Sequence, residues 1–308
     1  MSVVTPNSVS WGVEDELSGG LKTSLTNRAS RPTILDEIIT RIEADLAVTK
    51  KQIPQGRLER HAEERGPTRG FADALRDQPG RPARVIAELK RASPSRGLIR
   101  KDFGVLSLSR ELAEEGAAAL SVLTEVNYFK GSPRYLQAVA TAVEIPVLRK
   151  DFIVDPYQIF EARAWGADAV LLIAAALDAA TFNRLHNLAV KLDLGVLAEV
   201  HNRDELHMVL DAGVEVVGVN SRNLKTFKTD LNMTAKLIGE IPAPAIAVAE
   251  SGIHGPDDIA GLRTCGAQAF LVGETLMRAP SPGAKLAELI GRGTTEDGEQ
   301  PAAAEQES

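Results

Sequence analysis

The sequence predicts an α/β protein with the (β/α)8 TIM-barrel fold, in which eight parallel strands each precede a helix. From Val85 onward, short runs rich in β-branched residues alternate with longer stretches of helical period. Eight such runs lie within about 200 residues, which fits a closed parallel barrel better than an open doubly wound sheet. Neither G-x-G-x-x-G nor G-x-x-x-x-G-K-[ST] occurs. The phosphate-binding loops of dinucleotide folds and nucleoside triphosphatases are therefore not indicated.

A helix is predicted before the first strand, and the two ends of the chain are predicted to be flexible. Apolar residues recur at helical spacing from Thr33 to about Val48, and Thr33 with Asp36 matches a capping box. Residues 1–32 and 294–308 are polar and show no sustained period. We therefore expect a single domain at 33–293, comprising the barrel and its N-terminal helical extension, between a leader and an acidic tail.

The barrel elements follow one another in regular order. The predicted strands are 85–89, 119–124, 146–150, 169–174, 195–200, 216–221, 245–249 and 269–272. Clear helical patterns lie at 107–115, 134–142, 156–165, 179–192 and 203–210. Glycine next to alanine marks several helix ends, as at Gly116, Gly166, Gly213 and Gly266. Glycine suits the left-handed turn that stops a helix.

Composition and charge exclude several classes of function. The chain has 308 residues, with 35 basic against 42 acidic side chains and a net charge of −7. General affinity for nucleic acid or for anionic membranes is not indicated, so any anionic ligand must be met by a local group of cations. No apolar run could span a bilayer and no secretion signal opens the chain, so we expect a cytoplasmic protein.

Cysteine and histidine give no sign of a metal site or cofactor. Cys265 is the only cysteine, and no C-x-x-C or H-E-x-x-H motif occurs. His201 and His207 lie six residues apart, which is not the spacing of helical metal ligands. We interpret both histidines as structural or surface residues.

Charged residues lie at the ends of several predicted strands, where apolar ones are expected. Glu88 and Lys90 share one face of the first strand, and Lys150 shares a face with Phe152 after the third. Barrel enzymes build their sites at the carboxyl ends of the strands, so we expect one shared cavity there. Its candidate residues are Glu88, Lys90, Ser93, Phe129, Lys150, Phe152, Glu199, Asn220, Arg222, Glu250, Ser251, Gly252, Gly273 and Glu274.

Glycines after the seventh and eighth strands point to a phosphorylated ligand. Gly252 and Gly273 would let backbone N–H groups approach closely, and barrel enzymes commonly hold a phosphate in these two loops. The sequence therefore predicts a small phosphorylated substrate.

Several of these motifs together resemble the indole-3-glycerol phosphate synthase family of tryptophan biosynthesis. The matching segments are IAELKRASPS (86–95), SVLTE (121–125), LRKDFIV (148–154), LAEVH (197–201), GVNSRNL (218–224) and AESGI (249–253). The resemblance implies a carboxy-lyase that acts on 1-(2-carboxyphenylamino)-1-deoxyribulose 5-phosphate. The indole ring closes with loss of carbon dioxide and water, and no cofactor is implied.

The resemblance also implies roles for the catalytic pair and for the phosphate-binding group. Lys150 would be the general acid that protonates the substrate ketone during ring closure, and Glu199 would be the acid–base of the dehydration. Lys90 would bind the phosphate together with backbone amides around Gly252 and Gly273.

The remaining candidates would bind the rest of the substrate. Ser93, Asn220 and Arg222 would hold its carboxylate and hydroxyls, whereas Glu88 and Glu250 would orient the cations. Phe129 and Phe152 would form an apolar wall for the benzene ring. Ser251 and Glu274 complete the predicted binding residues, although Glu274 stands where some members of the family carry Ser.

Beyond the site, the resemblance assigns the helix after Thr33 and the segment Phe71–Leu75 to an N-terminal extension that covers the barrel mouth as a lid. Association with other enzymes of the tryptophan pathway is a further expectation.

Three alternatives stay open on the residues alone. A phosphoribosylanthranilate isomerase commonly needs Cys and Asp at strand ends, but Cys265 lies in a helical stretch. In an aldolase, Lys150 would form a Schiff base with the substrate. A catalytically silent barrel would serve as a binding partner only, yet Lys150 and Glu199 are both present.

Overall fold

The structure, a computed structural model, describes residues 33–77, 80–222 and 229–292. The predicted leader at 1–32 and the predicted tail at 294–308 lie outside these residues, so their flexibility stays a prediction. No helix of the described residues is long and apolar enough to cross a membrane.

Eight strands form one closed parallel barrel, which confirms the predicted fold class. They are β1 (Arg84–Leu89), β2 (Ala119–Leu123), β3 (Val147–Lys150), β4 (Ala169–Ile173), β5 (Gly195–Val200), β6 (Val216–Asn220), β7 (Ile246–Glu250) and β8 (Ala269–Val272). Each strand pairs with its neighbours in the chain, and β1 pairs with β8, where Ile86 lies opposite Leu271. Every predicted strand boundary is correct to within one residue.

Helices surround the barrel and precede it. The extension contains α1 (Ile34–Gln52), α2 (Gln55–Glu63) and α3 (Phe71–Leu75), and the barrel helices are α4 (Val105–Glu114), α5 (Pro133–Ala142), α6 (Pro156–Ala164), α7 (Ala179–Lys191), α8 (Arg203–Asp211), α9 (Leu231–Ile238), α10 (Pro256–Thr264), α11 (Glu274–Arg278) and α12 (Pro282–Ile290). A short hairpin of Ala92–Ser93 and Gly97–Leu98 follows β1. The predicted capping box of Thr33 and Asp36 opens α1.

The extension packs against the side of the barrel at α6. Lys50 Nζ in α1 lies 2.7 Å from Asp155 Oδ2, and the Tyr157 hydroxyl donates to the carbonyl of Ile53 at 2.8 Å. Leu58 of α2 is buried in one apolar cluster with Tyr157. These contacts fix the N-terminal extension from α1 to α2 beside α6.

Aliphatic side chains from alternate strands form a layer inside the barrel. Ile86, Leu148, Leu197 and Val248 come from β1, β3, β5 and β7, and they share one buried cluster with Phe71 of α3. Because side chains two apart share a face of a strand, the next inward residues on these four strands form a layer nearer the carboxyl ends. That next layer consists of Glu88, Lys150, Glu199 and Glu250.

Candidate active site

A cavity of about 1210 Å³, partly open to solvent, lies at the carboxyl ends of the strands. All of the residues predicted from the sequence line it, from Glu88 in β1 to Glu274 after β8. Ile34, Leu35 and Ile38 of α1 line the same cavity, so α1 reaches the barrel mouth. Phe71 and Leu75 of α3 instead pack at the amino ends of the strands, where Phe71 contacts Gly195, so the prediction that this segment covers the mouth is wrong. The structure therefore brings the candidate residues together, whereas their individual roles stay predictions.

Lys150 and Glu199 form the central ion pair of the cavity. Lys150 Nζ lies 3.3 Å from Glu199 Oε2, and Asn220 Nδ2 donates to Glu199 Oε1 at 3.1 Å. Burial alone would lower the pKa of Lys150, but the carboxylates of Glu199, Glu250 and Glu88 together raise it above its ordinary value. Lys150 consequently keeps its proton at neutral pH, as a general acid must.

The three buried carboxylates of this layer differ in charge. Burial would raise the pKa of Glu199, but Lys150 and His201 hold it below its ordinary value, so Glu199 is ionised. Glu88 is also ionised, because the opposing effect of Lys90 and Lys150 outweighs burial and lowers its pKa. Burial, reinforced by the charge of Glu199, raises the pKa of Glu250 well above its usual range. Glu250 therefore keeps its proton to a higher pH than Glu88 and Glu199 do.

Two glycines make room for two of these carboxylates. The sequence did not predict this steric role for either glycine. A Cβ on Gly218 in β6 would lie 2.0 Å from Glu250 Oε1, and a Cβ on Gly273 would lie 2.0 Å from Glu88 Oε2. Glu250 Oε1 has no hydrogen-bond partner among the described residues. Gly273 was predicted from the sequence to serve phosphate binding, but in the structure it also accommodates the Glu88 side chain.

The predicted phosphate end carries a left-handed turn and a group of arginines. Ser251 and Gly252 have φ values of 65° and 74°, which turn the backbone sharply after β7. Glu274 Oε1 lies 3.1 Å from Arg96 Nε and 3.0 Å from Arg278 Nε, and its Oε2 lies 3.5 Å from Arg222. The carboxylate that replaces a serine of some family members thus binds arginines at this rim.

Lys90, Ser93 and the two aromatic residues line the same cavity. Lys90 Nζ forms a very short ion pair with Glu88 Oε2, and Ser93 Oγ lies 3.4 Å from Ser95 Oγ. The rings of Phe129 and Phe152 meet with their centroids 5.9 Å apart. A cationic end and an apolar wall thus occupy one cavity, as a substrate with a phosphate and an aromatic ring requires.

A buried ionic network supports the strand that carries Lys150. Arg149 points to the outer face of β3, where its guanidinium lies 3.1 Å from Asp151 and 3.2 Å from Glu161. It also donates to the carbonyl of Gln158 at 2.7 Å and stacks over the Trp165 ring at 4.4 Å. Because these partners are all buried or nearly so, the end of β3 is tightly fixed.

His201 is the second residue whose position the sequence did not reveal. It follows β5 two residues after Glu199, and its Nε2 lies 3.4 Å from Glu199 Oε1. It does not line the cavity, in contrast to Glu199. The sequence-based interpretation of His201 as a merely structural residue is thus incomplete, whereas His207 is exposed as expected.

Neither a cysteine nor a metal-binding cluster contributes to the site. Cys265 caps α10 and does not line the cavity. The parts of the chain that the structure describes contain no group of three or more His, Cys, Asp or Glu residues that could hold a metal ion. The position of Cys265 disfavours the isomerase alternative, which needs that thiol at a strand end.

Comparison with known proteins places this site in a family. The model of the family "Indole-3-glycerol phosphate synthase" matches residues 35–289. A synthase of that name from Koribacter versatilis is 51% identical over 257 residues, covering 83% of this chain and 98% of the relative. One from a Polaromonas species is 48% identical over 260 residues, covering 84% and 98%.

Solved structures support the fold alone. A 3-hexulose-6-phosphate synthase superimposes with a TM-score of 0.56 at 18% identity, covering 68% of this chain and 98% of that one. A structure titled KGPDC from Streptococcus mutans gives 0.52 at 14% identity, with the same coverage. Fold, cavity and sequence relatives lead to one conclusion: this chain belongs to the indole-3-glycerol phosphate synthase family.

Proposed function

We propose that the cavity converts 1-(2-carboxyphenylamino)-1-deoxyribulose 5-phosphate to indole-3-glycerol phosphate, with Lys150 and Glu199 moving the protons. The observation that carries this assignment is the buried Lys150–Glu199 pair at 3.3 Å, at the carboxyl ends of β3 and β5. Lys150 is held protonated and Glu199 ionised, so the pair offers one acid and one base at fixed geometry.

Lys150 is the acid of ring closure. The aromatic carbon that bears the carboxylate attacks the ketone carbon, a carbon–carbon bond forms, and the ketone oxygen takes a proton from Lys150 Nζ. The C–CO₂ bond then breaks and its electron pair restores the aromatic ring. Phe129 and Phe152 exclude water from this part of the cavity, which favours loss of the substrate charge.

Glu199 serves the dehydration that follows. The new hydroxyl takes up a proton and leaves as water, while the neighbouring carbon of the new ring loses a proton. Glu199, ionised at the start, accepts the proton from that carbon and passes a proton to the departing hydroxyl, so its own proton count is unchanged. Asn220 holds its carboxylate in place at 3.1 Å. The whole reaction therefore consumes one proton, because a carboxylate becomes carbon dioxide.

The remaining candidates bind the substrate. Lys90, with the backbone at Gly252 and Gly273, binds the phosphate, whereas Ser93, Ser251 and Arg222 hold the carboxylate and hydroxyls. Arg222 reaches the cavity beside Ser95, 3.3 Å from its hydroxyl. Glu88 and Glu250 orient the cations of the cavity, with Glu88 paired to Lys90, and Glu274 holds Arg222.

The place of the reaction in metabolism supports two further expectations. A biosynthetic step that starts from a phosphorylated sugar derivative fits a cytoplasmic enzyme. Its product is the substrate of the next step of tryptophan synthesis, so association with other enzymes of that pathway is part of the proposal.

Replacing Lys150 tests the proposed acid. We expect Lys150→Ala to abolish indole product, measured by fluorescence with purified protein and the ribulose phosphate substrate, while circular dichroism and phosphate binding stay unchanged. Lys236→Ala on exposed α9 is the matched control and should be fully active.

Normal turnover of Lys150→Ala would refute the assignment of the acid. Covalent trapping of the substrate on Lys150 by borohydride would instead favour the aldolase alternative.

A further inference from the structure

His201 connects the catalytic pair to the surface of the barrel. Its Nε2 faces Glu199 Oε1 at 3.4 Å, and its Nδ1 lies 3.3 Å from Glu205 Oε2. The Nε2 atom is buried and makes no hydrogen bond with any described residue. An unpartnered ring nitrogen that faces a catalytic carboxylate is available to exchange a proton with it.

Glu205 is held in position by the start of α8. Its Oε2 accepts from the His201 backbone N–H at 2.7 Å, and its Oε1 accepts from Asn202 Nδ2 at 2.6 Å. Its side chain is 18% exposed, compared with 13% for His201 and 3% for Glu199. Exposure thus rises along the series from the cavity towards solvent.

The proposed reaction can use such a connection while substrate or product fills the cavity. Each turnover consumes one proton, and Lys150 must recover it before the next ring closure. Lys150 lines the cavity that the substrate occupies, so the mouth is not a free route during a turnover. Glu250 holds a proton nearby, but it is only 2% exposed and would itself need to be reloaded.

We propose that Glu205, His201 and Glu199 form a proton relay that returns a proton from solvent to Lys150. A proton from solvent reaches His201 Nδ1 by way of the Glu205 carboxylate, the ring releases its other proton from Nε2 to Glu199, and Glu199 passes a proton to Lys150 across 3.3 Å. Rotation of the neutral ring then brings Nε2 towards solvent, where Nε2 takes up a proton and Nδ1 releases one, so the starting tautomer is restored. His201 is a positioning and relay residue, since it does not touch the cavity.

The charges around His201 suit this task. Glu199 and Glu205 flank the ring, and Lys150 and Asn220 lie beyond Glu199. Burial would lower the pKa of His201, but the two carboxylates raise it above its ordinary value despite the repulsion from Lys150. The ring therefore keeps its second proton to a higher pH than a free imidazole, and it can both give and take a proton.

The relay is tested with variants that keep the fold. His201→Gln preserves volume, Glu205→Gln preserves a side chain that can cap α8, and His201→Ala leaves a space for free imidazole. His207→Gln on the exposed face of α8 is the matched control. Indole product and proton uptake, followed with a pH-indicator dye in weak buffer, are measured together on the full chain.

We expect kcat to fall about tenfold or more in both His201 variants and in Glu205→Gln, with KM and melting temperature unchanged. Imidazole should restore His201→Ala in a concentration-dependent manner and leave the wild type and His207→Gln unaffected.

The relay is refuted if His201→Gln keeps the wild-type kcat, or if imidazole fails to restore His201→Ala while KM rises. Because the relay rests on the proposed function, a wild-type chain that forms no indole product would refute that function instead.

Discussion

Four ionisable residues occupy a layer of the barrel interior that would otherwise be apolar. Glu88, Lys150, Glu199 and Glu250 each follow an inward aliphatic residue by two positions on their strand. Isolated buried charges are costly, so each must be paired or neutralised. Lys90 and Lys150 pair with two of the carboxylates, and burial raises the pKa of the third, Glu250, which favours its neutral form.

Replacing Glu199 tests both its part in proton transfer and its effect on the pKa of Lys150. We expect Glu199→Gln to slow turnover by about 10²-fold or more, as is typical of a lost acid–base group. The pKa of Lys150 should fall because one of the anions that raise it is gone, so the alkaline limb of kcat should move to lower pH. A pH profile of kcat for wild type, Glu199→Gln and the exposed control Glu144→Gln measures both effects.

An unchanged turnover would remove Glu199 from the mechanism. An unchanged alkaline limb would show that Lys150 is not the group that titrates there.

At the scale of residues, sequence patterns located what lines the cavity but not what lies behind it. Strand ends made the candidates visible because polar residues are unusual there. His201 lies two positions after Glu199, and the same face rule could have placed it beside that carboxylate. Gly218 was hidden because a glycine inside a strand has several explanations, and only coordinates show the Glu250 oxygen above it.

Glycines on β6 and after β8 leave room for the buried carboxylates of the catalytic layer, and they add no charge to it. Gly218 lies within β6, and Gly273 directly follows β8. Each faces a buried carboxylate from an odd-numbered strand. The layer therefore depends on small residues from the strands between the charged ones.

Adding a methyl group at position 218 tests whether the layer needs a small residue on β6. Gly218→Ala would place its Cβ 2.0 Å from Glu250 Oε1, so the carboxylate must move. We expect a large loss of kcat in the fluorescence assay, with the barrel still folded by circular dichroism.

Gly261→Ala in α10 is the matched control, since nothing lies within 4 Å of its Cβ. It should keep full activity and gain about 0.5–1 kcal/mol of stability. Equal activity of the two variants would show that the placement of Glu250 is unimportant.

At the scale of elements, the regular βα rhythm was predictable, whereas α2 was not. Every barrel strand combines β-branched residues with a turn signal, which makes its bounds clear. In α2 only Leu58 and Ala62 are buried, so no apolar period of sufficient length marks it. Its position follows from packing on α6, which is a long-range property.

At the scale of the whole molecule, the number of strands predicted that the sheet closes into a barrel. It did not predict which site residues of the first and last strands come into contact. Eight βα units suffice to complete a barrel. The pairing of β1 with β8 then brings Glu88 next to Gly273, which is about as far apart in sequence as two site residues can be. No local pattern reports such a contact.

The proton on Glu250 should make the stability of the whole molecule depend on pH. Above the ordinary carboxyl pKa of about 4.3, the folded state keeps a proton that the unfolded chain has lost. The folded state then binds more protons, so the free energy of unfolding should fall by about 1.4 kcal/mol per pH unit until the raised pKa is reached.

Glu250→Gln should remove this dependence and become the more stable protein as pH rises. Urea unfolding of both proteins between about pH 5 and pH 8 gives the comparison. Parallel curves for the two proteins would mean that Glu250 is ionised in the folded state.

The seam between β1 and β8 has a consequence for biosynthesis of the protein. A ribosome makes Glu88 early and Glu274 near the end of the described chain, yet both belong to one cavity. When β3 has just been made, Lys150 still lacks Glu199 of β5, the carboxylate that pairs with it in the folded barrel. A nascent chain cannot turn over substrate until β8 has emerged from the ribosome and paired with β1.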